Sequence, residues 1–299
     1  MTLHQLRIFL AVAKFRSFTQ AADGLHLSQP DVSLHVRELE EEIGLNLFER
    51  VGKKIHLTQE GQVLREQTNR IFAQLREAEQ ALAELKGLMR GSLLIGASTT
   101  IGMYLLPQAL SDFRRRFPGI QVNLKIGNTQ EIERLVSGME IDVGFIGGVL
   151  TPSRKLKVEP YLEDELVLIL SSKHPLTKKK KVQLSDLDKE TFILREAGSA
   201  TRKVFEDALR AHKMEIKIGM ELDSTEAIKW AVVEGLGVSV VSKHAVSRET
   251  KLGVLSMRRI YGLPLYRPLL IVYHSQRVLP LAARAFSELL QRKTPKDQQ

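Results

Sequence analysis

Apolar positions recur every three or four residues over Leu3 to Lys14, Thr19 to Leu25 and Gln29 to Ile43, and this spacing predicts three short helices. In the first, Leu3, Leu6, Ile8, Phe9, Leu10 and Val12 form a face that packs behind the other two. The break between the second and third helices is too short for anything but a tight turn, as in a helix-turn-helix. Ala21 and Ala22 are small enough to let those helices cross closely, while Leu25, Val32, Val36 and Leu39 can form the buried seam. Ser28 caps the third helix, Asp31 three residues on completes a capping-box pattern, and Pro30 suits a first turn that needs no donor. What remains faces outward. Gln29, Ser33 and Arg37 fall on one stripe with His35 alongside, and such groups read base edges and phosphates in a major groove. An ordinary helical hairpin with a solvated face would show much of the same pattern.

Beyond Ile43 the segment NLFERVGKKIHLT alternates across a Gly-Lys-Lys turn and predicts a two-stranded wing with Val51 to Lys54 at its tip. Arg50, Lys53 and Lys54 can grip phosphates there, although a charged tip also serves simply to keep a hairpin soluble. From Thr58 a helix is predicted to about Leu88. Leu64, Thr68, Ile71, Leu75, Ala78, Leu82, Leu85 and Met89 alternate spacings of four and three, which is a heptad seam. A helix of about 30 residues is roughly 45 Å long, enough to pair with a second copy and hold two reading heads apart. A dimer addressing two half-sites is therefore expected; packing of the helix on the chain's own second domain is the competing explanation. Gly87 and Gly91 bracket an expected hinge.

After that hinge the pattern alternates between short apolar runs and amphipathic stretches. SLLIGAS, QVNLKIG, IDVGFIG, ELVLILS, TFIL, IKIGMEL, VSVVS and PLLIVY read as strands. Helices are predicted over Met103 to Phe117, Thr129 to Ser137, Thr201 to His212, Ser224 to Glu234 and Pro280 to Gln291, so this part of the chain is α/β.

The phrase FTQAADGLHLSQPDVSLHVRELEEEIGLNLFER resembles, along its whole length, the N-terminal winged helix-turn-helix of LysR-type transcriptional regulators. TTIGMYLLPQALSDFRRRFPGIQVNL, GNTQEIERLVSGMEIDVGFIGG, EAGSATR and VVEGLGVSVVS are similar to the effector domain of the same family. The resemblance implies an α/β multidomain chain. A winged helix-turn-helix would span 1–58, a linker and dimerisation helix with its hinge 59–91, and a two-lobed α/β effector domain resembling periplasmic binding proteins 92–299. Its first lobe would take 92–161 and 267–299, and its second 162–266. The implied partners are double-stranded promoter DNA, a second copy through the linker helix, a further dimer to make a tetramer, and RNA polymerase. The DNA-binding set would be Ser28, Gln29, Pro30, Ser33, His35, Arg37, Arg50, Lys53 and Lys54, with Arg50 the wing residue most favoured by the likeness.

Open α/β lobes bind ligands where strand ends meet helix starts. Ser98-Thr99-Thr100, Asn128-Thr129, Gly147-Gly148, Gly198 to Arg202 and Ser224-Thr225 are such junctions, each with free amides, a small residue or hydroxyl, and a helix dipole behind. Any one of them reads equally as plain capping. The resemblance adds that positions matching Ser98, Thr100, Thr129 and Thr201 line the interlobe cleft in this family. The effector-binding set is accordingly Ser98, Thr99, Thr100, Thr129, Gly147, Ser199, Thr201, Arg202 and Glu226. A small anionic metabolite is expected, held by amides, hydroxyls and Arg202, with Arg195 adding charge and Glu196 and Glu226 opposing it. The GSATR phrase is similar to that of relatives controlling sulfur assimilation, sulfite response or carbon fixation, which points to sulfur or carbon assimilation. Phe145, Tyr104 and Trp230 are expected in packing roles, and Lys178 to Lys181 as a solvated loop.

Charge changes this picture less than the net +9 suggests. Residues 1–58 carry seven Lys/Arg and seven Asp/Glu, a balance of zero, so DNA binding would rest on a local patch: Arg37, Arg50, Lys53 and Lys54 set against Glu38 and Glu40 to Glu42. With no cysteine there are no disulfides or thiolate sites, which fits a reducing cytoplasm. The N-terminal segment has no signal-peptide pattern, and the longest apolar runs, such as LVLIL, fall far short of the ~18 residues of a membrane helix. A cytoplasmic protein without membrane contact is expected. G-x-S-x-G, H-E-x-x-H, Walker and complete G-x-G-x-x-G patterns are missing and the eight histidines are scattered, so no enzyme, metal or cofactor is expected beyond the effector. The rival reading is a cytoplasmic small-molecule binding protein whose N-terminal helices serve protein interaction.

Overall fold

The computed structural model describes the chain except for residue 53, 86–89, 149, 151–153 and 293–299. The chain divides into two compact units, Met1–Glu79 and Gln80–Gln299.

The first unit holds α1 (Leu3–Phe15), α2 (Phe18–Leu25), α3 (Gln29–Ile43), β1 (Phe48–Val51), β2 (Lys54–Leu57) and most of α4 (Gln59–Leu85). Ile8, Val12, Ala21, Ala22, Val32 and Val36 form one buried cluster, and Phe9, Leu39 and Leu47 a second beneath the wing. Ser17 caps α2 and Ser28 caps α3, its hydroxyl oxygen accepting the Asp31 N–H at 3.3 Å. The expected reciprocal box does not close, because the Ser28 hydroxyl donates to the Asp31 carboxylate at 2.6 Å. Aspartate is one methylene shorter than the glutamate of a full box, and the nearer hydroxyl takes its oxygen. The wing pairs antiparallel from Phe48 against Leu57 to Val51 against Lys54. Lys53 lies outside the described residues.

Thr58 starts α4: its oxygen accepts the Gly61 N–H at 3.0 Å while its hydroxyl donates to the Asn46 carbonyl at 2.7 Å. Along the heptad seam Leu64 packs into the wing cluster and Thr68 is fully buried. Leu75 and Leu82 are exposed, at 36% and 64%. Met89 and Gly87 lie outside the described residues, and Gly91 opens a strand.

The second unit comprises β3 (Gly91–Ser98), α5 (Leu106–Arg116), β4 (Ile120–Gly127), α6 (Thr129–Ser137), β5 (Val143–Gly147), β6 (Leu156–Ser171), β7 (Val182–Gln183) and β8 (Thr191–Arg195). It continues through α7 (Ala200–Ala211), β9 (Lys217–Leu222), α8 (Thr225–Val233), β10 (Ser239–Ser242), α9 (Ser247–Lys251), β11 (Leu255–Arg258), β12 (Ile260–Tyr261), β13 (Tyr266–His274) and α10 (Leu281–Arg292). One sheet has the order β10-β6-β13-β5-β3-β4, with β11 also on β6; β8 and β9 form a separate parallel pair. Leu93, Ile95, Phe113, Phe145, Leu269 and Phe286 anchor one core. Leu168, Phe192, Phe205, Leu209 and Val240 anchor another, so the chain passes between lobes along β6 and returns along β13.

Several elements differ from expectation. β6 begins at Leu156, well before the ELVLILS run, because its first half mixes charges with Pro160 and so hides the strand. Pro160 sits beside an irregularity in the ladder, where β13 passes from Leu162 to Pro160 as its partner, a place where a missing N–H is tolerated. The helix expected from Met103 opens instead as a π-type turn over Ile101–Leu105, and the α-helical ladder starts only around Pro107. The short β7, β11, β12 and α9 were too brief to leave a periodic signal.

Gly61 fixes how closely α4 meets the wing: a Cβ there would stand 2.1 Å from the Leu47 carbonyl oxygen. Gly61→Ala should therefore destabilise the first unit by about 1–3 kcal/mol. Calorimetry should show its melting transition falling by several degrees, while Glu60→Ala leaves it in place.

Candidate functional site

The residues expected to read DNA lie at or near the surface of the first unit. Ser28, Gln29, Pro30, Arg37, Arg50 and Lys54 are exposed, and Ser33 and His35 half-buried. Gln29 Nε2 donates to Ser33 Oγ at 2.7 Å, which ties two members of the stripe together. Arg37 stands free to move, 68% exposed and only loosely paired with Glu41 at 3.6 Å. His35 is the most constrained, with Glu38 at 3.3 Å and the His4 ring edge-on at 5.1 Å.

In the second unit the strand-to-helix junctions converge. Ser98, Thr99, Thr100, Asn128, Thr129, Arg195, Ser199, Ala200, Thr201 and Arg267 surround one cleft between the lobes. Its free volume is about 10 Å³, roughly one water molecule, so the lobes are closed on it. Gly198, at φ +89°, shows how closely they meet, since a Cβ there would lie 2.7 Å from Gln130 Oε1 of the opposite lobe.

Two arginines span the closure. Arg267, 3% exposed, donates through Nη2 to Thr100 Oγ1 at 3.0 Å and through Nη1 to Thr201 Oγ1 at 2.8 Å, one threonine from each lobe. Behind it Asp164, fully buried, accepts from Nε at 2.9 Å and from Ser242 Oγ at 2.7 Å. Arg195, 5% exposed, is held by Glu196 at 2.7 and 2.9 Å and donates to Thr225 Oγ1 at 2.9 Å and Thr99 Oγ1 at 3.3 Å. Ser98 Oγ is buried without a hydrogen-bond partner, and Ser199, the N-cap of α7, makes no capping bond through its side chain. An unpartnered buried hydroxyl is costly, and here it borders the open volume beside the starts of α6 and α7. The arrangement suits a small anion.

Not every candidate reaches this place. Arg202 turns away, donating to Glu206 at 2.7 Å, to the Arg195 carbonyl at 3.0 Å and to Glu221. Glu226 sits apart from the cleft lining, paired with Lys229 at 2.8 Å and accepting the Tyr104 hydroxyl. Gly147 contributes its carbonyl, which accepts Thr129 Oγ1–H at 3.2 Å, and it leaves room for the Arg267 guanidinium, 3.1 Å from where a Cβ would be. Phe145 is core, Tyr104 packs on the second lobe, and Trp230 is 63% exposed rather than packed. Sequence reasoning missed Arg267 and Asp164, while Asn128, named at its junction but left out of the effector-binding set, does line the cleft. The arginine lies inside a strand, 66 residues from Thr201 and 167 from Thr100, and no local motif marks it.

Among the described residues no group of three or more His, Cys, Asp or Glu is placed to hold a metal ion. None of their helices is long and apolar enough to cross a membrane.

The family model for the bacterial regulatory helix-turn-helix protein, lysR family, matches residues 3–62, and that for the LysR substrate binding domain matches 86–295. The RuBisCO operon transcriptional regulator of Allochromatium vinosum is 39% identical over 292 residues, covering 97% of this chain and 95% of that one. Full-length OxyR from Pseudomonas aeruginosa, in a variant form, superposes with a TM-score of 0.74 at 25% identity, over 97% of this chain and 95% of that chain. The CcmR regulatory domain of Synechocystis in complex with 2-PG has a TM-score of 0.64 and 30% identity, over 69% of this chain and 98% of that chain.

The contact of Tyr104 with Glu226 gives the lobe closure a pH signature. Burial works against the Glu226 carboxylate, but hydrogen bonds from Lys229 and Tyr104 outweigh it and hold its pKa below the usual range. Such a group adds stability that is complete above its unfolded pKa of about 4.3 and lost as pH falls through the lower folded value. Urea midpoints of Glu226→Gln should accordingly fall less steeply than those of the wild type on acidification below about pH 4.3.

Proposed function

The chain belongs to the LysR family of bacterial transcriptional regulators, and from that premise we propose how it works. It binds promoter DNA as a dimer paired along the Leu75 and Leu82 stripe of α4, with two such dimers forming a tetramer. The α3 helices enter successive major grooves about 34 Å apart, and Arg50, Lys53 and Lys54 hold flanking phosphates. A small anionic metabolite occupies the interlobe cleft and changes how dimers sit on the DNA and how RNA polymerase gains access. It acts in the cytoplasm and catalyses nothing. The observation that carries the cleft half of this reading is the buried, unpartnered Ser98 hydroxyl beside two arginines and two helix starts.

The relative's control of a RuBisCO operon and the 2-PG bound by the CcmR domain favour carbon assimilation over sulfur as the setting. The rival reading, with the N-terminal helices serving protein contacts, loses ground because residues 3–62 match a DNA-binding family model and the reading stripe is solvent-facing.

Footprinting on DNA flanking the chain's own gene, with and without a panel of small anions that includes 2-PG, tests the whole scheme. Two spaced protected regions are expected, with their extent altered by one anion; no protection by a folded protein would sink the scheme. Arg37→Ala should weaken binding to the preferred site by about tenfold or more, the loss of one good base contact, with the melting temperature unchanged.

Ser98→Ala separates ligand from fold. Because its hydroxyl has no partner, removing it should leave stability unchanged or slightly raised. DNA binding should persist while the response to the active anion weakens; an intact response would place the ligand elsewhere.

A further inference from the structure

The hydrogen bonds around the cleft have a direction, and the direction discriminates among anions. Thr100 and Thr201 each receive an Arg267 N–H on the hydroxyl oxygen. A hydroxyl engaged in that way keeps its hydrogen to give, and neither hydrogen has an acceptor among the hydrogen bonds of the described residues. Asn128 is biased likewise, since its carboxamide oxygen accepts the Glu131 N–H at 2.9 Å and its NH₂ group is left to donate. The two carboxylates that balance the arginines, Asp164 and Glu196, do not line the free volume. Asp164 lies buried behind Arg267 with its oxygens already taken by Arg267 and Ser242. Thr129, whose hydroxyl donates to the Gly147 carbonyl, turns an oxygen free to accept, and the Ser98 and Ser199 hydroxyls, neither engaged through its side chain, can either give or accept.

We infer that the cleft selects its ligand by hydrogen-bond polarity: it takes a small oxyanion in its fully deprotonated, acceptor-only form and rejects the protonated form, with Arg267 setting this preference by orienting the hydroxyls of both lobes. The inference rests on the anion-binding reading of the cleft. A ligand O–H in this ring meets no carboxylate and must turn a hydroxyl such as Thr129, Ser98 or Ser199 into its acceptor, whereas an acceptor-only oxyanion takes bonds from Thr100, Thr201, Ser98, Ser199 and Asn128 together. A buried donor left without a partner is penalised far more than a made bond is rewarded. Arg267 acts twice, once by its charge and once by occupying the acceptor side of Thr100 and Thr201. Lysine could supply the charge without the fork that reaches both hydroxyls.

Calorimetric titration of the full-length protein with methyl phosphate and with sulfate, at pH 5 and pH 7 and constant ionic strength, tests this. A phosphate monoester takes its second charge near pH 6, whereas sulfate stays a dianion throughout. The charged groups around the cleft are paired, Arg195 with Glu196, Arg267 with Asp164, Arg202 with Glu206, Lys125 with Glu131 and Lys229 with Glu226. Any effect of their titration falls on sulfate too. Methyl phosphate should bind about tenfold more tightly at pH 7 than at pH 5, following its dianion fraction, with sulfate nearly unchanged.

In the paired variant Arg267→Gln with Asp164→Asn, chosen so that no lone carboxylate stays buried, the tenfold ratio should collapse towards one. Should that variant fail to fold, Thr100→Val with Thr201→Val, which removes the hydroxyls Arg267 orients, should collapse it instead. Equal methyl phosphate affinity at both pH values would overturn the polarity inference and leave the anion site standing. A ratio that survives both substitutions would take the role from Arg267. Failure of both anions to bind at either pH would overturn the inference together with the anion-binding reading.

Discussion

The buried pair of Arg267 and Asp164 is the constraint on which the second unit turns. The two residues face each other directly in the ladder between β13 and β6, the strands that carry the chain from one lobe to the other and back. An ion pair taken fully out of water gains little net stability, because desolvation of both groups offsets their attraction. What it gains is position. With Asp164 holding Nε and lying 2.8 Å from Nη2, the guanidinium plane is fixed, and Nη2 also reaches Thr100 on one lobe while Nη1 reaches Thr201 on the other. Removing either partner would leave a buried charge alone, so the pair is far easier to keep than to lose piecemeal.

Arg195 repeats the logic from the second lobe. Glu196 grips it from behind, Nη1 reaches Thr225 of the same lobe, and Nη2 crosses to Thr99 of the other. Two arginines, each backed by its own carboxylate, therefore present donors to the cleft while the compensating negative charge stays behind them. The chain carries no large formal charge into the site, yet the surface a ligand meets is one of N–H and O–H groups. Charge placement, and not net charge, decides that what faces the cleft is mostly donors.

The helices and capping of the first unit were legible almost residue for residue because that information is local. Ser28, Pro30 and the spacing of Val32, Val36 and Leu39 all act within a turn or two of helix, and α3 has the bounds that spacing implies. The hydroxyl side of the cleft was visible for the same reason, since Ser98, Thr100, Thr129 and Thr201 all stand at strand ends or helix starts. Arg267 and Asp164 were not visible. Each sits within a strand, their partners lie on distant segments, and an arginine between Tyr266 and Pro268 looks like an edge residue facing solvent. Arg202 failed in the opposite direction: it follows the GSAT junction in sequence, but at the third position of α7 the helix turns it towards Glu206 and Glu221. Long strands with mixed composition, β6 above all, hid their length because Pro160 and the ladder irregularity beside it break the alternation that strand recognition depends on.

Closure with so little room inside follows from what closes it. The lobes meet through polar contacts: Arg267 to both threonines, Arg195 to Thr99, and the Tyr104 hydroxyl to Glu226. Contacts of this kind exchange readily for water, each contributing on the order of 1 kcal/mol, so opening costs far less than separating an apolar interface of similar extent. On the anion-binding reading, an anion accepting from Thr100 and Thr201 would join both lobes through the hydroxyls that Arg267 already bridges. It would also take the Ser98 hydroxyl, which has no hydrogen-bond partner, and would do so only when the lobes are near each other. A preference of this size, about 1–3 kcal/mol, is the usual scale of allosteric coupling. On that reading the Ser98 hydroxyl is the reserve of free energy a ligand would draw on, and the two arginines would bias that reserve towards anions.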